Sequence, residues 1–160
     1  EALGPTQAIT ASNRGYLELK RRRYDDAEKW FKKALSRDGV QPMMYANLGT
    51  LAIARKNFPK ARTLYAQALQ RNHKFAVAHW MLGRIDASMG QIEAAKKRFS
   101  TMITVAPKDP RGYLELTGLH LAGKDYKAAL KVLIRAQQAI PGHPQINRLL
   151  SQIRQPGQPK

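Results

Sequence analysis

The sequence predicts an all-α array of tandem helix-turn-helix units, and three observations carry that prediction. Alanine recurs at Ala27, Ala61, Ala95 and Ala129, each 34 residues after the last. A period of this length marks units that bury their apolar faces only by stacking on their neighbours. Four further columns keep the same register: Gly15, Gly49, Gly83 and Thr117; Tyr24, Phe58, Ile92 and Tyr126; Phe31, Tyr65, Phe99 and Leu133; Ala34, Ala68, Met102 and Ala136. Within each period the apolar residues recur at helical spacing, separated by polar or proline-bearing stretches.

Each unit reads as two short antiparallel helices. The spacing predicts helices near 7–21, 25–37, 42–55, 58–71, 76–89, 92–105, 110–122 and 126–139. At the front, Gly4-Pro5-Thr6 marks a boundary with Thr6 as the N-cap of the first helix. Arg14 then occupies the column where later units have Leu48, Leu82 and Leu116, so the first helix is either a solvated terminus or a surface that another segment covers. In the second unit Pro42 sets the start, Tyr45, Leu48, Leu51 and Ala52 recur at helical spacing, and Arg55-Lys56-Asn57 carries the turn. Pro59 falls in the first turn of the following helix, where a missing donor is tolerated. The small residues Ala61 and Ala68 let the paired helix approach, with Tyr65 filling the gap beside them. The third and fourth units repeat the scheme. A ninth helix follows, with Ile146, Leu149, Leu150 and Ile153 on one stripe and Gln145, Asn147, Arg148, Gln152 and Arg154 facing away, as the cap of a stacked array requires. The expected organisation is a boundary segment 1–7, repeats 8–41, 42–75, 76–109 and 110–143, a capping helix 144–154 and a tail 155–160 with nothing to bury.

Composition narrows the function classes. The 160 residues contain no cysteine, which removes disulfides and thiol nucleophiles. No apolar run is long enough to cross a bilayer, so the chain is expected to be soluble. Beginning at Glu1 rather than Met, the sequence is compatible with a fragment or a processed product, and bacterial periplasm or envelope and cytoplasm all stay open. Lys and Arg number 28 against 11 Asp and Glu, a formal net charge of +17. Such a balance favours acidic partners.

The columns resemble the tetratricopeptide repeat, whose pattern has an aromatic, then Leu-Gly, Tyr, Ala, a further aromatic and a proline near the close. The third unit carries the resemblance best, with Leu82-Gly83, Ala95, Phe99 and Pro107, and with Trp80 one place from the aromatic column held by His79. The resemblance covers residues 8–143. It implies a right-handed superhelical solenoid whose first helices line a concave groove for extended or helical peptides. Projected onto this chain, that lining includes Ile9, Ser12, Tyr16, Leu19 and Lys20; Met43, Ala46 and Thr50; Trp80 and Arg84; and Arg111, Leu114 and Gly118. The family's Tyr column here reads Glu18, Ala52, Asp86 and His120, and its polar members are expected to stay wet at the groove margin, the alternative being a buried polar network.

Tyr16, Met43, Thr50, Trp80, Arg84 and Arg111 are therefore the candidate partner-binding residues, with Trp80 central and the arginines meeting an acidic group beside an apolar anchor. Trp80 reads equally as core displaced by one place. A family subclass grips the acidic C-termini of heat-shock chaperones with a clamp of Lys, Asn and Arg. Only Asn47 fits that clamp in one frame, and Arg111 with a repelling Glu115 stands in the other, so chaperone-tail binding of that type is not expected.

No glycine-rich phosphate loop, zinc-protease helix or nucleophile elbow appears. His73, His79, His120 and His143 have no metal-ligand spacing on one helix, so catalytic, cofactor and metal sites are all expected to be none. The expected function is a non-catalytic scaffold or adaptor for a protein or peptide with apolar and acidic residues, the chain itself being a monomer or weakly self-associating. The alternative is a nucleic-acid or ribosome-associated repeat using the basic faces. Against it, Tyr24, Phe31, Tyr65, Phe99 and Tyr126 are expected in core columns, leaving no exposed aromatics among the basic residues for stacking.

Overall fold

The computed structural model describes residues 5–35 and 41–154, and side chains for 6–35 and 41–153. Every regular element among the described residues is a helix: α1 Pro5–Lys20, α2 Tyr24–Leu35, α3 Pro42–Ala54, α4 Phe58–Arg71, α5 Ala76–Ser88, α6 Ile92–Val105, α7 Pro110–Ala122, α8 Tyr126–Ala139 and α9 Pro144–Arg154. The expected bounds hold to within two residues wherever they fall on described positions. Residues 36–37, the last expected of α2, lie outside the described residues, as do Gly4 and the tail 155–160. Thr6 is not an N-cap. The helix already begins at Pro5, whose fixed φ suits a first helical position, and the Thr6 carbonyl accepts a bond from the Thr10 hydroxyl at 3.0 Å.

The helices divide into two compact units, Glu1–Leu82 and Gly83–Lys160. In the first unit each helix pair closes where a glycine lies beneath a ring. A Cβ added to Gly15 would stand 2.6 Å from Phe31, and one added to Gly49 would stand 2.9 Å from Tyr65. Phe31, Tyr65, Ala27, Ala61 and Ala68 are buried at these contacts. Ala27, Phe31, Leu19 and Leu51 form one core cluster with Tyr24, Leu48 and Ala54 packed against it. A second cluster gathers Ala11, Ala34 and Met44, with Trp30 at its margin.

The second unit repeats the closure once and varies it once. Gly83 lies beneath Phe99, where a Cβ would stand at 2.6 Å. One period on, Thr117 and Leu133 occupy the two positions, both fully buried. Between α6 and α7, Gly112 approaches Ile103, where a Cβ would come within 3.0 Å. On α9, Ile146 and Leu150 are buried while Gln145, Asn147, Arg148 and Gln152 are exposed.

The turn inside each pair has one geometry, repeated four times. In the first unit the Arg23 N–H donates to the Glu18 carbonyl at 2.9 Å and that of Asn57 to Ala52 at 2.8 Å; in the second, Gln91 donates to Asp86 at 2.9 Å and Asp125 to His120 at 2.8 Å. The preceding N–H groups bond three residues back, Arg22 to Leu19, Lys56 to Ile53, Gly90 to Ala87 and Lys124 to Leu121. These are paired Schellman bonds, which satisfy the last helical carbonyls and need a left-handed residue just past the helix end. Gly90 meets that need freely at φ 75°, whereas Arg22, Lys56 and Lys124 adopt φ 60°, 58° and 59°. A residue with a Cβ loses roughly 1–2 kcal/mol there. The residue after the left-handed one then caps the next helix: Asn57 accepts from the Lys60 N–H and Asp125 from that of Ala128, each at 3.0 Å.

Glu18, Asp86 and His120 depart from the expectation of a wet margin. Glu18 is buried and pairs with Arg21 and Arg23 at 3.2 and 3.4 Å, because the turn folds both arginines back over the carboxylate. Asp86, 1% exposed, faces Arg98 at 3.8 Å, and the His120 ring lies 3.7 Å from Asp125. Burial of such groups is tolerated only beside a partner of this kind. Arg14 is exposed, and its guanidinium lies 4.4 Å from the centroid of the Trp30 ring.

Candidate interaction surfaces

In the first unit α1 and α3 present an apolar row. Ile9 and Tyr16 lie seven residues apart on one side of α1, and Met43 stands one period after Ile9 on α3. All three are exposed, Tyr16 by 44% and Met43 by 45%. The Lys20 ammonium lies 5.3 Å from the centroid of the Tyr16 ring, which gives the ring a cationic neighbour. Ser12, Leu19 and Ala46, projected onto the same lining, are instead buried. Their covering has a polar fastening, since the Asn47 amide donates to the Ser12 hydroxyl at 2.7 Å.

Thr50 is half-buried and its hydroxyl is committed. It donates its one proton to the Ala46 carbonyl at 3.0 Å, so the buried Tyr65 hydroxyl, 2.9 Å away, donates to it. Thr50 thus supplies the acceptor that a buried phenol needs and offers a ligand chiefly its methyl group. Trp80, also in this unit, is half-buried on α5.

In the second unit Arg84 is exposed and Arg111 half-buried, and each faces a carboxylate of its own chain. Arg84 Nε stands 3.7 Å from Glu115. Arg111 holds Asp109 through Nη2 at 2.6 Å and Nε at 3.0 Å, while Asp109 caps α7 by accepting the Arg111 N–H at 3.0 Å. The Arg111 side chain, burial opposing it, holds the Asp109 carboxyl below its ordinary value, and Asp109 raises that of Arg111. An incoming acidic group meets two arginines already neutralised in part. The sequence pattern does not reveal this, because Glu115 reads only as a repelling charge.

The first unit also carries an ion-pair network that spacing alone does not suggest. Arg55 at the end of α3 bonds Glu28 and Asp25 of α2, the latter at 2.6 Å, and Lys32 reaches Glu28 at 2.9 Å. The hydrogen bond from Arg55, then that from Lys32, lowers the Glu28 carboxyl from 4.5 to about 2. Beside the network opens a pocket lined by Glu28, Leu48, Leu51, Ala52, Arg55, Asn57 and Lys60.

The expectation that no aromatic stands exposed among the basic residues is wrong for this chain. Phe31, Tyr65 and Phe99 are buried, but Phe58 is 43% exposed, Tyr126 58% exposed and Tyr24 half-buried. Each opens a second helix directly after a turn, so one side of its ring is left beyond the reach of the paired helix. Of the histidines, His79 is buried with Nε2 2.8 Å from the His73 carbonyl. Among the described residues no three His, Asp or Glu side chains gather as a metal ion requires, and no helix is long and apolar enough to cross a membrane.

Four repeated turns, ring-on-glycine closure and a final half-polar helix define a helical-repeat array. The sequence matches the family model of the tetratricopeptide repeat over residues 52–113 and 87–153, and a second model of the same repeat over residues 12–77. The chain belongs to the tetratricopeptide repeat family, and its nine described helices fit about four repeats and a capping helix. No curated protein matches it. Among solved structures it is similar to PilF of Pseudomonas aeruginosa, with TM-score 0.78 and 18% identity over 92% of this chain and 68% of that one. The crystal structure of MamA gives TM-score 0.70 and 21% identity over 84% and 79%. The first repeat domain of Spaghetti (RPAP3), bound to the HSP90 peptide SRMEEVD, gives TM-score 0.67 and 20% identity over 77% and 98%. At these identities the likeness shows the fold alone.

Proposed function

We propose that the chain is a protein-interaction scaffold whose first unit takes an apolar segment of a partner against Tyr16, Met43, Thr50 and Trp80. The observation that carries this reading is the exposure of Tyr16 and Met43 on α1 and α3. Large apolar side chains exposed in register, one beside a lysine, suit a segment that brings an apolar anchor and an acidic neighbour. A similar fold binds a peptide in the RPAP3 domain, which supports a peptide as the kind of ligand. The clamp chemistry for a chaperone tail is not part of the proposal, since Asn47, the single matching residue in that frame, is bonded to Ser12.

In the second unit Arg84 and Arg111 are proposed as separate contacts that exchange an internal carboxylate for one on a partner. Such an exchange gains little affinity and more orientation. No catalytic role is assigned to any residue. The test is selection of peptides from a displayed library on the immobilised full chain, followed by Tyr16→Ser, Met43→Ser, Trp80→Ala and Arg84→Ala. The expected result is loss of binding in the first two at unchanged melting temperature, and a small effect of Arg84→Ala. Selected peptides that bind the Tyr16→Ser and Met43→Ser variants as they bind the parent defeat the reading. Unfolding by Trp80→Ala would assign that residue to the core.

A further inference from the structure

Two turns of the first unit hold cations where the backbone least favours them. Arg22 and Lys56 take the left-handed position that Gly90 fills in the third turn and Lys124 in the fourth. Lys60 lies in the first turn of α4, which has no acidic residue there to offset a cation at the positive end of the helix dipole. Three basic residues set against local preference in one small region are better accounted for by what they meet than by the stability of the fold.

The neighbouring acids do not neutralise them. Glu18 is taken up by Arg21 and Arg23, Glu28 by Arg55 and Lys32, and Asp25 by Arg55. Among the described residues Arg22, Lys56 and Lys60 have no ion pair. The Arg55 to Asp25 bond of 2.6 Å ties the end of α3 to the start of α2, so the two turns lie side by side. Phe58, which falls between Lys56 and Lys60 in the sequence, is 43% exposed.

We propose that this edge, formed by Arg22, Lys56, Phe58 and Lys60, binds single-stranded nucleic acid. Phosphates meet the three cations, and a base stacks on Phe58, a combination that tracks a single strand without reading its sequence. An acidic protein segment would use the cations and leave the ring idle. The proposal does not depend on the peptide-binding face on α1 and α3, whose variants leave this edge intact.

The test is fluorescence anisotropy of the full chain with a short labelled oligouridylate, titrated with salt, and with polyglutamate as competitor. Three phosphate contacts predict affinity falling about 18-fold between about 50 and about 200 mM salt. The double variant Arg22→Gly with Lys56→Gly relieves the two left-handed positions, so it should melt higher than the parent. It should nonetheless bind RNA more weakly, with a salt slope reduced to about one third. Phe58→Ala should weaken binding about five-fold or more and leave the slope unchanged. RNA affinity equal to the parent's in the double variant, or absent from the parent, overturns the proposal. Polyglutamate competing as well as RNA while Phe58→Ala is silent overturns it in favour of an acidic protein.

Discussion

The two units solve the same packing problem with different residues. The first closes both of its helix pairs with glycine beneath a ring, and ties α2 to α3 through Arg55, Glu28 and Asp25. The second closes one pair in that way, closes the other with Thr117 and Leu133, and joins α6 to α7 by bringing Gly112 against Ile103. Where Glu28 and Arg55 stand in the first unit, two periods later the sequence has Lys96 and Gly123, and Lys96 pairs within its own helix with Glu93. Pair closure therefore conserves volume rather than residue type: where the glycine gains a side chain, the opposing ring is given up. The junction between pairs is freer, and either charge or close apolar contact serves.

The largest expected effect breaks the closure directly. Gly83→Ala sets a methyl group 2.6 Å from Phe99 and should cost about 3 kcal/mol in urea denaturation. Gly118→Ala, at a helical glycine with nothing within 4 Å, should instead gain about 1 kcal/mol. Adding Phe99→Leu to Gly83→Ala approaches the fourth pair's solution, with Ala where that pair has Thr117, and should recover part of the loss, a coupling that a double-mutant cycle reads. Additive effects would mean that Leu133 is not the counterpart of Thr117. A smaller effect sharpens the same comparison. The Thr117 hydroxyl is buried without a hydrogen bond among the described residues, so Thr117→Val should stabilise by about 1 kcal/mol. A loss of stability there would point to a partner for the hydroxyl.

The sequence displays what is periodic and hides what is not. Small and aromatic columns repeat because the same helix contact repeats, so the helices and their order are legible in it. Tyr126 and Phe58 mislead for the same reason: an apolar column looks alike whether its residue sits mid-helix or at the turn, and only the latter leaves a ring face open. Arg14 with Trp30, Asn47 with Ser12 and Arg55 with Glu28 join residues 16 to 35 positions apart with no repeated signature. Of the candidate site, the exposure of Tyr16 and Met43 follows from register, whereas the carboxylates that hold Arg84 and Arg111 do not.

The smallest effect tests the junctions by acid. Glu28 titrates near 2 when folded against an ordinary 4.5, chiefly through its bond from Arg55. Because the folded value is the lower one, the pair stabilises the first unit fully above about pH 4.5, and that contribution is lost as pH falls through about 2. Asp109 in the second unit is also held low, but by Arg111 two residues away, so its protonation loosens the cap of α7 and not the contact of α6 with α7. Arg55→Gln should therefore destabilise the chain at neutral pH, and the difference from the parent should shrink as pH is lowered from about 5 to about 2. Gly112→Ala, acting on an apolar contact, should show a difference that does not vary over that range. If the Arg55→Gln difference is equally flat, the charges lie beside the α2–α3 junction without holding it, and both units rest on apolar closure alone.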